Sequence, residues 1–192
     1  TICYQYPTEL PLAEPSQVIQ VAGNQDECVG HPVQYQENNT YQWPNGWLTQ
    51  RDVTLEDGKT QSTYYDYDIN GQVIKESTSS RLGNSFAIET AFRNGAAYKW
   101  SNAETGLVYK EILSEDAQQR PTHVRFGNGI EEYYQYDRVS GQVTQQSAAR
   151  NGLLVYQFDY QYDLDDRLIH RLRHFYYKNR SETSFEDEYG YD

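Results

Sequence analysis

The sequence predicts an all-β fold: an antiparallel meander of hairpins that forms a curved sheet. Three observations carry this. Of the 192 residues 19 are Tyr, while the hydrophobic fraction is only 37%, so burial must rest on aromatic rings more than on aliphatic side chains. Each ring can bury about 150–250 Å² while its hydroxyl still finds a polar partner. Next, the aromatics come in i, i+2 pairs, the spacing that puts two side chains on one face of a strand. Finally, Asn-Gly and Asp-Gly pairs recur between β-prone runs. They are the strongest short hairpin signals, because a type I′ turn needs positive φ at both central residues.

Residues 1–40 read as an irregular lead-in punctuated by Pro7, Pro11, Pro15 and Pro32, with one or two short strands such as Gln17–Val21. From residue 41 to 192 the texture is periodic. The clearest unit is Tyr65-Asp66-Tyr67-Asp68-Ile69-Asn70-Gly71-Gln72-Val73. A second is Tyr134-Gln135-Tyr136-Asp137 followed by Gly141, and a third is Tyr160-Gln161-Tyr162-Asp163 followed by Asp166 in the place of glycine. Tyr189-Gly190-Tyr191-Asp192 opens another, which is expected to be truncated. Weaker copies are Tyr41-Gln42-Trp43 and Tyr98-Lys99-Trp100. Between the copies lie Asp57-Gly58, Asn94-Gly95, Asn128-Gly129 and Asn151-Gly152. Two turn types are thus expected to alternate, one at each end of the strands, with a period in the range of repeat architectures. Tyr156, Phe158, Tyr160 and Tyr162 are expected to share one face. The Asp after the second Tyr can accept from N–H groups two residues on and start the turn.

These residues resemble the Rhs/YD-repeat family, whose consensus is roughly Tyr-x-Tyr-Asp-x-x-Gly-Arg-Val, a spacer, then Asn-Gly before the next Tyr. Asp116 to Gly129 is similar to that spacer throughout, except that Gln119 stands where glycine is usual. The resemblance covers about residues 41–192. It implies that the sheet is an arc of a larger β-shell, and that the chain is a structural scaffold segment of a secreted or cell-surface bacterial protein. In the family's toxins such a shell encloses or presents a C-terminal toxin domain. The implied partners are the rest of the same chain, that toxin domain and toxin-complex subunits.

Composition narrows the remaining classes. The net charge of −12 repels a phosphate backbone, which argues against nucleic acid as a partner. No stretch approaches the ~18–20 apolar residues of a membrane span. The chain starts at Thr1 and contains no Met, which reads as a processed or excised segment. Two cysteines, Cys3 and Cys28, either pair or stay as thiols; the secreted family to which the chain is similar favours the pair.

Motifs for chemistry are sparse. Asp66-x-Asp68-x-Asn70-Gly71 matches the start of a calcium loop, but the twelfth position, which should carry a bidentate carboxylate, is Ser77. His170 and His174 have helical zinc spacing, yet they sit in a strand-like run that would separate them by about 13 Å. Glu131, Glu132, Asp163, Asp165 and Asp166 supply carboxylates in a pattern that acidic turns also give. Gly-x-Ser-x-Gly, His-Glu-x-x-His and P-loop motifs do not occur. The chain is expected to be a non-enzyme without cofactor or metal. The alternative is a carbohydrate-binding β-module, in which Trp43, Trp47 and Trp100 would stack on sugar rings.

Overall fold

The computed structural model describes residues 2–6, 15–21, 33–79, 83–177 and 182–191. These residues form fifteen strands and no helix. The chain divides into two compact units, Thr1–Phe92 with Asn102–Gly106, and Arg93–Ser101 with Leu107–Asp192.

The first unit carries β1 (Ile2–Gln5), β2 (Gln17–Val21), β3 (Val33–Gln42), β4 (Trp47–Leu55), β5 (Thr60–Tyr67), β6 (Val73–Ser79) and nearly all of β7 (Ser85–Arg93). Each pairs antiparallel with the next in chain order. The second carries most of β8 (Ala96–Asn102), then β9 (Val108–Glu115), β10 (Pro121–Phe126), β11 (Ile130–Tyr136), β12 (Val143–Arg150), β13 (Leu153–Tyr162), β14 (Leu168–Tyr176) and β15 (Glu182–Glu188). The same antiparallel succession holds there. The architecture is an all-β antiparallel meander in which strand order follows chain order. Strand β3 spans residue 40, and the compact units divide at Phe92 and Arg93. Cys3, on β1, is disulfide-bonded. Its expected partner Cys28 lies outside the described residues, as does Asp192.

The hydrophobic core is thin. In the second unit Ile112, Val124 and Ala148 are 7%, 3% and 1% exposed. They lie in one cross-strand row that reads Ile112, Val124, Glu132, Ala148, Tyr156, Phe175, Thr183. Tyr156 stacks on Phe158 at 4.7 Å between centroids, and Phe158 meets Phe175 edge-on at 5.6 Å. Phe175 in turn meets Phe185 edge-on at 6.1 Å. This aromatic ladder ties β13, β14 and β15, and each cross-strand pair contributes about 0.2–1 kcal/mol beyond an alanine pair.

The expected strict alternation of two turn types does not hold. After Asn94-Gly95 come two Asp/Asn-headed turns in succession, at Asn102 and at Asp116, before Asn128-Gly129. The two weak repeat copies are also in a different register from the expected one. Tyr41, not Trp43, takes the second tyrosine's place, and Ser101 takes it in the other copy, with Asn102 as the turn residue. At Asn102 the reason is physical: its side chain accepts the Glu104 and Thr105 N–H groups and so fixes where the turn begins.

Gly71 has φ of +81°, and a Cβ there would lie 3.1 Å from the Trp47 ring. Gln119 and Asp166 occupy the same seat in their turns with φ of 62° and 61°. A left-handed conformation costs a non-glycine residue about 1–2 kcal/mol, and glycine returns about 0.4–1 kcal/mol of that as unfolded-chain entropy. Gln119→Gly is therefore expected to raise stability in urea unfolding by about 0.5–1 kcal/mol. Gly71→Ala should lose more than Gly58→Ala, because Gly58 shares the positive φ but meets nothing within 4 Å. Equal losses would remove the Trp47 contact from the account.

Candidate functional site: the tyrosine-capped turns

Six turns share one construction. Their heads are Gln42, Asp68, Asn102, Asp116, Asp137 and Asp163. In the acidic ones a carboxylate oxygen accepts backbone N–H groups further along the turn. Asp68 Oδ1 accepts from Asn70 and Gln72 at 2.8 and 2.9 Å, and Asp163 Oδ1 accepts from Asp165 and Arg167 at 2.9 Å each. Asp137 Oδ1 accepts from Val139 and Ser140 at 2.8 and 2.7 Å. Asp116 does the same with Gln118 and Arg120 at 2.9 and 3.0 Å. The backbone bond from Gln72 N–H is the main reason the Asp68 carboxyl titrates below the ordinary range. The Arg167 N–H does the same at Asp163, and the Ser140 N–H at Asp137.

Each turn is followed by a β-bulge on the strand it leads into. Tyr41 and Thr40 face Leu48 and Gln50, so Thr49 is the extra residue. Ile74, Tyr109, Thr122, Thr144 and Ile169 are the extras in the other five. A bulge disrupts the ladder locally, and its carbonyls need another donor. In four of the six turns tyrosine supplies it. The Tyr67 hydroxyl donates to the Leu48 carbonyl at 2.7 Å, Tyr136 to Pro121 at 2.8 Å, Tyr162 to Val143 at 3.0 Å and Tyr191 to Leu168 at 2.8 Å. Tyr41 donates to Pro15 at 3.1 Å. In each of the first four the acceptor is the residue just before the bulge on the preceding strand. Every such tyrosine thus closes the turn before its own. Links run from Tyr67 to the Tyr41 turn, and from Tyr191 through the Tyr162 turn to those of Tyr136 and Asp116.

Long side chains cover the tyrosine rings. Arg120 lies over Tyr136 at 4.2 Å and donates to the Gly141 carbonyl at 2.8 Å. Arg167 lies over Tyr191 at 5.2 Å, and Trp47 packs on Tyr67 at 5.1 Å.

The first tyrosine of a repeat faces a different environment. Glu132 accepts from Tyr134 at 2.5 Å and from Tyr156 at 2.7 Å. Gln146 bonds both hydroxyls and accepts from Tyr160 at 3.3 Å. Burial first, and the bond to Glu132 second, push the Tyr134 and Tyr156 phenols well above their ordinary range. Glu37 is the counterpart in the first unit, four residues before Tyr41 as Glu132 is four before Tyr136. It accepts from Tyr35, from Asn39 at 2.9 Å and from Arg51 at 2.8 Å. Burial would raise its carboxyl, but these bonds outweigh it and hold the group low.

Other residues singled out by sequence have structural neighbours. Trp47 and Trp100 are half-buried, the latter under Lys110 at 5.2 Å, while Trp43 is 69% exposed. Ser77, the twelfth position of the calcium-like run, pairs with Tyr64 on β5. His170 and His174, on β14, bond Glu186 at 2.6 Å and Glu182 at 2.5 Å on β15. Arg171 and Arg173 converge on Asp187 at 3.0 and 2.9 Å. Among the described residues no group of three His, Cys, Asp or Glu side chains could hold a metal. Nor is any helix long and apolar enough to cross a membrane.

No family model and no curated protein matches the chain. Solved structures do. The crystal structure of TcdB2-TccC3-Cdc42 matches 96% of this chain at a TM-score of 0.68 and 13% identity. The chain has an Rhs/YD-repeat-like fold. It spans 10% of that neighbour's length. TcdB2-TccC3 matches at 0.44, with 10% identity, 92% of this chain and 12% of the other. A porin-like protein from Bacteroides uniformis matches at 0.41, with 11% identity over 88% of this chain and 81% of that one. At those TM-scores the last two carry no argument. The YD-repeat-like fold gives the tyrosine and aspartate of each repeat separate tasks: Asp builds its own turn, and Tyr closes the one before.

The turn carboxylates titrate below the unfolded value of about 3.9, so they stabilise the fold above that pH, and the contribution is lost as pH falls towards their lower folded values. Asp163→Asn is expected to unfold at lower urea than the parent near neutrality, and this gap should close as the pH falls below about 3.9. A gap that stays constant in acid would mean the charge at Asp163 contributes nothing.

Proposed function

We propose that this chain is a structural scaffold segment of a secreted bacterial Rhs/YD-repeat protein, part of a shell that encloses or presents a C-terminal toxin domain. The observation that carries the reading is the linked series of tyrosine-capped turns. It makes a hairpin support the one before it at four places, which suits a wall built by repetition. The fold shared with TcdB2-TccC3-Cdc42 across nearly the whole chain supports the same reading. In this proposal the sheet is curved, and its partners are the rest of its own chain, the enclosed domain and other toxin-complex subunits.

The reading also makes the chain a non-enzyme. Glu131, Glu132, Asp163, His170 and His174 bind other side chains or the backbone, an arrangement that fixes register. A sugar-binding role would rest on Trp43, whose ring faces solvent, because Trp47 and Trp100 are engaged within the sheet.

Electron cryo-microscopy of the full-length natural protein tests the proposal. The expected result is that these strands form wall around enclosed density. Strands that line no enclosed space, in a protein whose saturable glycan binding is lost in Trp43→Ala, would replace the scaffold with the carbohydrate-binding module.

A further inference from the structure

Five Asn-Gly pairs lie in the described turns: Asn45-Gly46, Asn70-Gly71, Asn94-Gly95, Asn128-Gly129 and Asn151-Gly152. All five invite one reaction. A glycine has no side chain to hinder its backbone nitrogen from attacking the side-chain Cγ of the preceding Asn. The fold restrains them unequally. Gly46 N–H donates to the Gln42 carbonyl at 2.8 Å, Gly71 to Asp68 at 3.2 Å and Gly129 to Phe126 at 3.0 Å. The Asn128 side chain accepts from Ile130 N–H at 3.0 Å, and that of Asn70 donates to Asp68 at 3.3 Å. Gly95 has a further partner.

Asn151-Gly152 differs in its hydrogen bonds, while it shares exposure, positive φ and open space at the glycine with Asn94-Gly95. Among the described residues neither the Gly152 N–H nor the Asn151 amide has a hydrogen-bond partner. Both residues are exposed, with φ of 52° and 74°, in a two-residue turn closed by the Arg150–Leu153 pair. A Cβ at Gly152 would meet nothing within 4 Å.

We propose that Asn151-Gly152 is a spontaneous deamidation site, the first of the five to react in the folded chain, with water as its only co-reactant. The Gly152 nitrogen loses its proton to solvent base and bonds to Asn151 Cγ. The Cγ–Nδ2 bond breaks, and ammonia leaves with a proton from water. Water then opens the cyclic imide. Cleavage at Cγ leaves aspartate, and cleavage at the backbone carbonyl leaves isoaspartate. The isoaspartyl product adds one carbon to the main chain of a two-residue turn. That displaces the register between β12 and β13, the strands that carry Gln146 and Tyr156 of the Glu132 network.

The test is incubation of the chain at mildly alkaline pH, folded and in denaturant, followed by peptide mapping for the amide-to-acid mass gain and for isoaspartate. In the folded chain Asn151 is expected to convert about tenfold faster than Asn128, the factor corresponding to one backbone hydrogen bond of about 1.4 kcal/mol. In denaturant the rates should converge, and Asn151→Gln should remove the leading product. The proposal is overturned if another Asn leads in the folded chain, or if the lead of Asn151 persists unchanged in denaturant. Aged chain should also melt below the Asn151→Asp variant, which carries the charge without the extra backbone atom. Equal melting would overturn the register effect.

Discussion

The hydrogen bond from a tyrosine hydroxyl to a bulge carbonyl one strand back is the interaction on which the rest of this structure depends. A bulge after each of the six Asp-, Asn- or Gln-headed turns twists and redirects the strand, but it takes carbonyls out of the ladder. A buried carbonyl without a donor costs about 1–3 kcal/mol. Leu48, Pro121, Val143 and Leu168 are half-buried, and their carbonyls find donors in Tyr67, Tyr136, Tyr162 and Tyr191. Because each donor belongs to the next repeat, none of these four turns is complete by itself. The chain therefore gains its order from neighbour to neighbour, as repeat proteins do when stability divides into repeat and interface contributions.

Tyrosine also explains how a chain with so thin an aliphatic core holds together. Val124 and Ala148 are buried, but the row that contains them also contains Glu132, which a purely apolar core would exclude. Glu132 is tolerated because Tyr134 and Tyr156 both donate to it, and Glu37 because Tyr35, Asn39 and Arg51 do. The rings provide apolar area and the hydroxyls satisfy the charge, so one residue type serves both needs. The ion pairs of Arg171 and Arg173 with Asp187 are half-exposed and contribute little beyond register.

Much of the fold was legible in the sequence. The i, i+2 aromatics, the Asp after the second Tyr and the Asn-Gly pairs are local signals, and β5, β11 and β13 end as those signals require. Gln119 and Asp166 were legible as stand-ins for glycine, and both adopt positive φ. The target of the second tyrosine was not legible, because Leu48 and Val143 are each 19 residues from their donors and a carbonyl has no sequence signature. Asp116 was recognisable only as part of a spacer, since Glu115 stands where the tyrosine would be. Trp43, two positions past Tyr41, and Trp100, one before Ser101, misled the register because an aromatic out of step looks the same in a string of letters. The roles of Glu37 and Glu132 were hidden for another reason: nothing in an acidic chain marks which carboxylates sit under rings.

Amide hydrogen exchange on the Tyr162→Phe variant tests the coupling most directly. Removing that hydroxyl leaves the Asp163 turn with its own aspartate bonds and strips the donor from Val143. The expected result is lost protection around residues 137–145, the turn and bulge before Tyr162, with protection at residues 163–168 close to that of the parent. Loss confined to residues 163–168, with the preceding turn unchanged, would contradict the account, because each tyrosine would then support its own turn and the repeats would not be linked.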